Sequence, residues 1–423
     1  MINRRNFISK TASLSLAMPI WTHLFATGMQ EIAARKSAAT DPVTDAELWK
    51  MIRGLFEPSS KFINLENGYF SPQPMSTRNY QEQRNQYINK NTSWYMRKEQ
   101  EEARELVRKK LATLAGATEK ETVLVRNTTE AMNTIIMGYP WQKGDEVIYS
   151  NQDYGSMIEQ LKQAEQRFGL VLKKVDLPLH PDSDGQLVDI YLRAATPKTR
   201  LILLTHLINL SGQILPAKEI IRAAHTRNIE VLVDAAHSFA HVNVNFKELD
   251  ADYLGCSLHK WLCNPLGAGM LCIKPQHISK IWPLFGDTSQ PKDSCKKFEH
   301  IGTQPSAVQE SISQAIDFHH LIGPELKENR LRYLQQYWTE AVRPLPKITI
   351  NTPKEKQRAC ALANISIQGF TPDELSKKFL DDYNIFTVAI DHPAIKGVRV
   401  TPHLYTSTEE LDLFIKAIKE IAA

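Results

Sequence analysis

Glu230 to Leu262 reads EVLVDAAHSFAHVNVNFKELDADYLGCSLHKWL, and this stretch decides the fold. The run V-L-V is a buried strand that stops at Asp234. In open α/β sheets, ligands bind beyond the carboxyl ends of the strands, so Asp234 is placed to pair with a cationic group. The competing reading makes Asp234 the N-cap of the next helix. A second apolar strand, Tyr253–Cys256, delivers Ser257, His259 and Lys260 in one turn. A lysine amine among apolar neighbours loses basicity, which suits Schiff-base chemistry. Taken singly, such a lysine is more often a surface cation. Ser257 and His259 can donate hydrogen bonds to a phosphate from the turn that presents the amine.

Upstream, Arg126–Asn133 reads R-N-T-T-E-A-M-N. Asn127 and Glu130 have the spacing of a capping box, so a helix starts here. Its free N–H groups, with the Thr128 and Thr129 hydroxyls, make an anion site. An ordinary capped helix is the plainer alternative. Between these segments short apolar runs alternate with helical ones. Glu146–Tyr149, Leu201–Thr205 and Gly269–Ile273 are expected as strands, and Met157–Arg167 and Ala217–Arg227 as helices. Met96–Ala115 reads as an amphipathic helix with Leu106, Val107, Leu111 and Leu114 on its apolar side. Strand–helix alternation implies a mostly parallel sheet covered on both faces.

Beyond Pro305 one long helical stretch is expected to run past Leu321 to Trp338. Two strand–helix units follow, Ala363–Ile367 with Asp373–Asp382 and Val398–Thr401 with Thr408–Ile421. The organisation expected is an export signal at 1–39, an N-terminal segment at 40–90 completing a small domain, a large domain at 91–305 and a small α/β domain at 306–423. A length of 423 residues fits more than one domain.

The signal reading rests on Arg4 and Arg5, followed by Phe7, Lys10 and a mildly apolar run from Thr11 to Met29. This resembles a twin-arginine signal and implies a periplasmic address, with Ala39 one candidate cleavage point. Pro19, His23 and the polar residues make the run a poor membrane span. Residues 1–39 carry five cations against one anion, a net of +4. The whole chain is also +4, so a chain starting at Thr40 is near neutral. That balance is no footprint for nucleic acid. None of the five cysteines stands in a C-x-x-C pair, so a zinc site is poorly supported. One or two disulfides are compatible with an oxidising compartment, and most of the cysteines read as plain buried thiols. No G-x-G-x-x-G follows a candidate strand, which argues against a dinucleotide domain.

An amine for an aldehyde, a carboxylate for a pyridine nitrogen and a helix start for a phosphate are together what pyridoxal 5′-phosphate (PLP) needs. The chain resembles the class V aminotransferase family of PLP enzymes, fold type I, and within it isopenicillin N epimerase-like proteins. The likeness lies in L-E-N-G-Y-F-S-P-Q-P, R-N-T-T-E-A-M-N-T, Q-D-Y-G-S-M, V-D-A-A-H-S, S-L-H-K-W-L, F-E-H-I-G-T and G-V-R-V-T-P-H-L-Y. It implies a large domain with a mostly parallel sheet and a smaller α/β domain. Lys260 is then the Schiff-base lysine and the proton carrier at the substrate Cα, and Asp234 the partner of the pyridinium nitrogen. His237 takes the phenolic oxygen, and Tyr154 stacks on the ring. Thr128, Thr129, Ser257 and His259 hold the phosphate. Thr303 matches a threonine that reaches the phosphate of a neighbouring subunit, implying a homodimer. Arg399 matches an arginine that grips a substrate carboxylate, with a surface ion pair as its alternative. Asn67 and Asn209 are weaker candidates near substrate or ring.

Cysteine desulfurases of the family carry a catalytic cysteine before the C-terminal arginine. The corresponding loop here, Thr387–Gly397, has none. The expected chemistry is aminotransferase- or epimerase-like, on an amino acid or peptide-like substrate, and the signal with the resemblance suggests the tailoring of a secreted peptide or siderophore. A C–S or other β-elimination lyase is one alternative, and a PLP-binding sensor without turnover is another.

Overall fold

A computed structural model describes residues 21–423. Arg4, Arg5 and the start of the apolar run lie outside the described residues. After helices at Trp21–Ala38 and Ala46–Arg53 comes the short strand β1 (Ile63–Asn64). The large sheet is built from β2 (Thr122–Val125), β3 (Glu146–Ser150), β4 (Val171–Val175), β5 (Thr199–Thr205), β6 (Glu230–Asp234), β7 (Tyr253–Ser257) and β8 (Gly269–Ile273). Their order is β2-β8-β7-β6-β5-β3-β4. Only β8 runs antiparallel to its neighbours. β2, β7 and β8 are buried at every position, because helices cover both faces and continuous apolar runs are the sequence form of such strands.

β4 was not expected. It is the edge strand, and its Val-Leu-Lys-Lys-Val is largely accessible, so it carries charge where an inner strand carries Leu and Val. The stretch ahead of it also differs from expectation. Two helices, Met75–Lys98 and Gln100–Ala115, stand there, and Leu106 points outward, 61% exposed. The long C-terminal helix is two helices, Ser306–Ile322 and Pro324–Val342. They are divided at Gly323, which has φ 91°, and at Pro324, which supplies no N–H to continue the ladder.

A second, antiparallel sheet has the order β12-β13-β10-β9, from β9 (Ile348–Ile350), β10 (Ala363–Ile367), β12 (Val388–His392) and β13 (Ile395–Val400). The short β11 (Ile385–Phe386) instead pairs in parallel with β1. Helices Pro372–Tyr383 and Thr408–Ala422 start with complete capping boxes, at Thr371 and Ser407. They bury Phe379 and Phe414 in the same core as Trp338. Leu65 belongs to this core, whereas Trp49 and Phe56 belong to that of the large sheet. The N-terminal segment therefore bridges the two. Helix Ser306–Ile322 packs with the large core through Ile312, Ala315 and Phe318.

Helix Trp21–Ala38 also touches the body. Ile32 is buried in the large core, and Lys36 Nζ donates to the carbonyl of Leu321 at 2.9 Å. A cut at Ala39 would remove both contacts. Among the described residues, no helix is long and apolar enough to cross a membrane.

Candidate active site

The strands running in one direction deliver their carboxyl ends to one edge of the large sheet. In register there, Thr205 neighbours Asp234, and Asp234 neighbours Gly255. β4 lies on one side of β3 and β5 on the other, so the β3/β5 crevice is the switch point at which an open sheet binds ligands. A pocket of about 230 Å³ opens at this edge. Thr128, Thr129, Tyr154, Asn209, Asp234, His237, Ser257, His259 and Lys260 line it, together with Tyr69, Phe70, Asn127, Thr205 and Ala236.

Lys260 Nζ lies 3.2 Å from His237 Nε2. Burial draws the lysine down to about 8, and the Asp234 charge opposes this only in part. Burial first, and then Lys260, push His237 well below the usual imidazole range. The tautomer of a neutral His237 decides which group donates across this contact, and the ring nitrogen left over is Nδ1. That Nδ1 is buried and has no partner. Asp234 is buried, takes only the Ala236 N–H at 2.9 Å, and is raised by desolvation. It lacks a counter-charge at bonding distance.

At the other end of the pocket the Asn127 side chain caps Glu130 N at 2.9 Å. Glu130 does not complete the expected box, because its carboxylate accepts from Arg126 N at 2.7 Å instead. Thr128 donates from its backbone to Ser257 Oγ at 2.9 Å, and the two hydroxyls lie 2.7 Å apart. This joins the helix start to the lysine turn. Gly269 is what allows the approach: a Cβ there would come 2.7 Å from Asn127 Cα. Burial lowers His259 to about 4, and the Phe70 ring stacks on its imidazole at 6.0 Å.

Three expected residues do not line the pocket. Asn67 is fully buried and its amide is used up: Nδ2 donates to Thr401 O at 2.8 Å, and Oδ1 accepts from Tyr405 at 2.6 Å. It clasps the N-terminal segment to the end of β13. Thr303 is exposed and is not among the residues that line the pocket. Arg399 is neither open to the pocket nor a surface ion pair. It is fully buried and doubly bonded to Glu66, Nη2 to Oε1 at 2.7 Å and Nε to Oε2 at 3.2 Å.

Glu66, Tyr69 and Phe70 were missed, although all stand in the L-E-N-G-Y-F motif. Asp153 was missed too. It is buried, raised to about 7 by desolvation, and accepts from Thr205 Oγ1 and Ser150 N, both at 2.6 Å. It thereby fixes the turn that presents Tyr154.

The residues present fit PLP. His237 Nδ1, His259 Nδ1 and Asn209 Oδ1 are buried polar atoms without partners, and Asp234 is a buried carboxylate without a cation. A phosphorylated, cationic ring with a carbonyl complements such a set. The fold and this site together define a PLP-dependent enzyme of fold type I. The chain belongs to the aminotransferase class-V family, whose model matches residues 72–414. It is 25% identical over 332 residues to isopenicillin N epimerase of Streptomyces clavuligerus, covering 74% of this chain and 82% of the relative. It is 30% identical over 342 residues to a probable cysteine desulfurase of Halalkalibacterium halodurans, covering 76% and 81%. A solved structure of a C-DES mutant with glycine covalently linked to the PLP cofactor shares the fold. Its TM-score is 0.77 at 20% identity, over 86% of this chain and 98% of that one.

PLP is the cofactor. When bound, it supplies a carbonyl for an amine and a ring that draws electrons from the amine-bearing carbon. Lys260 would hold it, Asp234 would keep its ring nitrogen protonated, His237 would donate to its phenolic oxygen and Tyr154 would cover its ring. Thr128, Thr129, Ser257 and His259 would take the phosphate. Lys260 Nζ, whose basicity burial lowers, would also be the group in the pocket placed to take a proton from carbon and return it.

Proposed function

We propose that the chain works at the amine-bearing carbon of an amino acid or peptide-like small molecule, with an aminotransferase- or epimerase-like outcome. The observation that carries this is the Lys260–His237 contact beside a buried Asp234, a proton-moving amine within a site that fits PLP. All five cysteines are free and buried, and none lines the pocket, which counts against a thiol-dependent desulfurase. The test is the visible spectrum of the purified protein beside Lys260→Ala, followed by amino-acid and peptide panels. A band lost in the variant and changed by amines supports the reading. A protein that stays colourless after PLP is added refutes it, and a band that no amine changes leaves a binding protein without turnover.

The exposed Thr303 is proposed to serve the site of a second copy in a homodimer. A monomer by sedimentation that retains full activity would refute this. Export through Arg4 and Arg5 is proposed to end in a cut upstream of Ile32, given the contacts of Ile32 and Lys36. Arg4→Lys with Arg5→Lys should keep the protein in the cytoplasm, and the intact mass of exported protein reads the cleavage point.

A further inference from the structure

We infer that Glu66 makes this pocket select primary amines with no free carboxylate on the amine-bearing carbon, the amino-terminal residue of a peptide being the fitting class. The inference rests on Lys260 holding the cofactor. Arg399 sits on β13, and its three nitrogens are all engaged. Nε and Nη2 form the fork that would grip a carboxylate, and Glu66 fills it. Nη1 donates to Asn209 O at 3.2 Å.

The loop carrying Glu66 is closed over the guanidinium. Glu66 Oε1 also accepts from Tyr69 N at 2.9 Å. The Tyr69 ring covers Arg399 Cζ at 4.3 Å. A Cβ on Gly68 would stand 3.3 Å from the same Cζ, so the backbone itself rests on the arginine. Asn67 bonds the loop to Thr401 from both its backbone and its side chain. A substrate carboxylate can reach the fork only by evicting Glu66, which leaves a buried carboxylate without its cation.

Nothing else in the pocket replaces the arginine. Among the described residues that line it, Lys260 is the only lysine or arginine, and it is committed to the cofactor. Tyr69 and Phe70 form an aromatic wall on the side facing solvent, with Phe70 60% exposed. An amine whose carboxyl is absent, or tied up as an amide, meets this surface without an unpaired charge.

The test titrates holoprotein with L-alanine and with L-alaninamide and reads half-saturation from the change in the visible band. The ratio of the two is compared between wild type and Glu66→Gln, so that the different basicities of the two amines cancel. Wild type should favour the amide, and Glu66→Gln should shift the ratio toward alanine by about tenfold or more. An unchanged ratio, or a wild type that prefers alanine, overturns the inference. A second arm needs no cofactor: succinate should raise the melting temperature of Glu66→Gln more than that of wild type, and equal shifts overturn the inference as well. Absence of a Lys260-dependent band is a separate result, and it refutes the PLP reading instead.

Discussion

The titration of Lys260 is the property most directly set by this fold. Desolvation draws its amine from 10.5 down to about 8, with the Asp234 charge holding it from falling further. The depressed value means that the neutral, nucleophilic form dominates above about pH 8. At pH 7 roughly one amine in ten is then neutral, against about one in 3000 for an ordinary lysine, a gain of about 300-fold. The assay is the rate at which apoprotein takes up PLP, followed in the visible band across pH 6–10. The rate should climb about tenfold per pH unit at first and level off above pH 8. In Asp234→Asn the charge that supports the ammonium is gone, so the levelling point should move to lower pH. A wild-type rate still climbing tenfold per unit at pH 10 would refute the reasoning, because it would mean that the amine is solvated.

Asn67→Ala removes a buried amide that serves Thr401 and Tyr405; urea unfolding should show a loss of about 2–3 kcal/mol, with substrate half-saturation unchanged in the surviving fold. A substrate role for Asn67 would show the reverse. Gly269→Ala places a methyl against Asn127 and should loosen the helix start that Thr128 shares with Ser257; PLP dissociation by dialysis should become at least about tenfold easier. The five cysteines are free and buried, so a thiol reagent should react with none of them quickly in native protein and with all five after unfolding.

The parts of the site that were legible in the sequence are local in the chain. Asp234 and Ser257 close apolar strands and His237, His259 and Lys260 follow them by a few residues, and a strand end in a parallel sheet has one direction in which to present a side chain. Thr128 and Thr129 were legible for the same reason, through the cap at Asn127. β4 was not, because an edge strand need not be apolar. The break at Gly323–Pro324 was written in the dipeptide but masked by helical periodicity on either side.

Arg399 shows where such reading ends. Its motif announced a guanidinium at the close of a β-strand, and that is where it stands. Its partner Glu66 lies 333 positions away, brought to it by the pairing of β1 with β11 and by the bridge of Glu66 to Thr401. The sequence by itself determined which groups are available and at which strand ends they emerge, since hydrophobic period and capping act within a few residues. Only the tertiary structure decided whether Arg399 faces a substrate or a carboxylate of its own chain, and how far Lys260 is stripped of water. Pairing and desolvation depend on segments that meet only when the whole chain has packed.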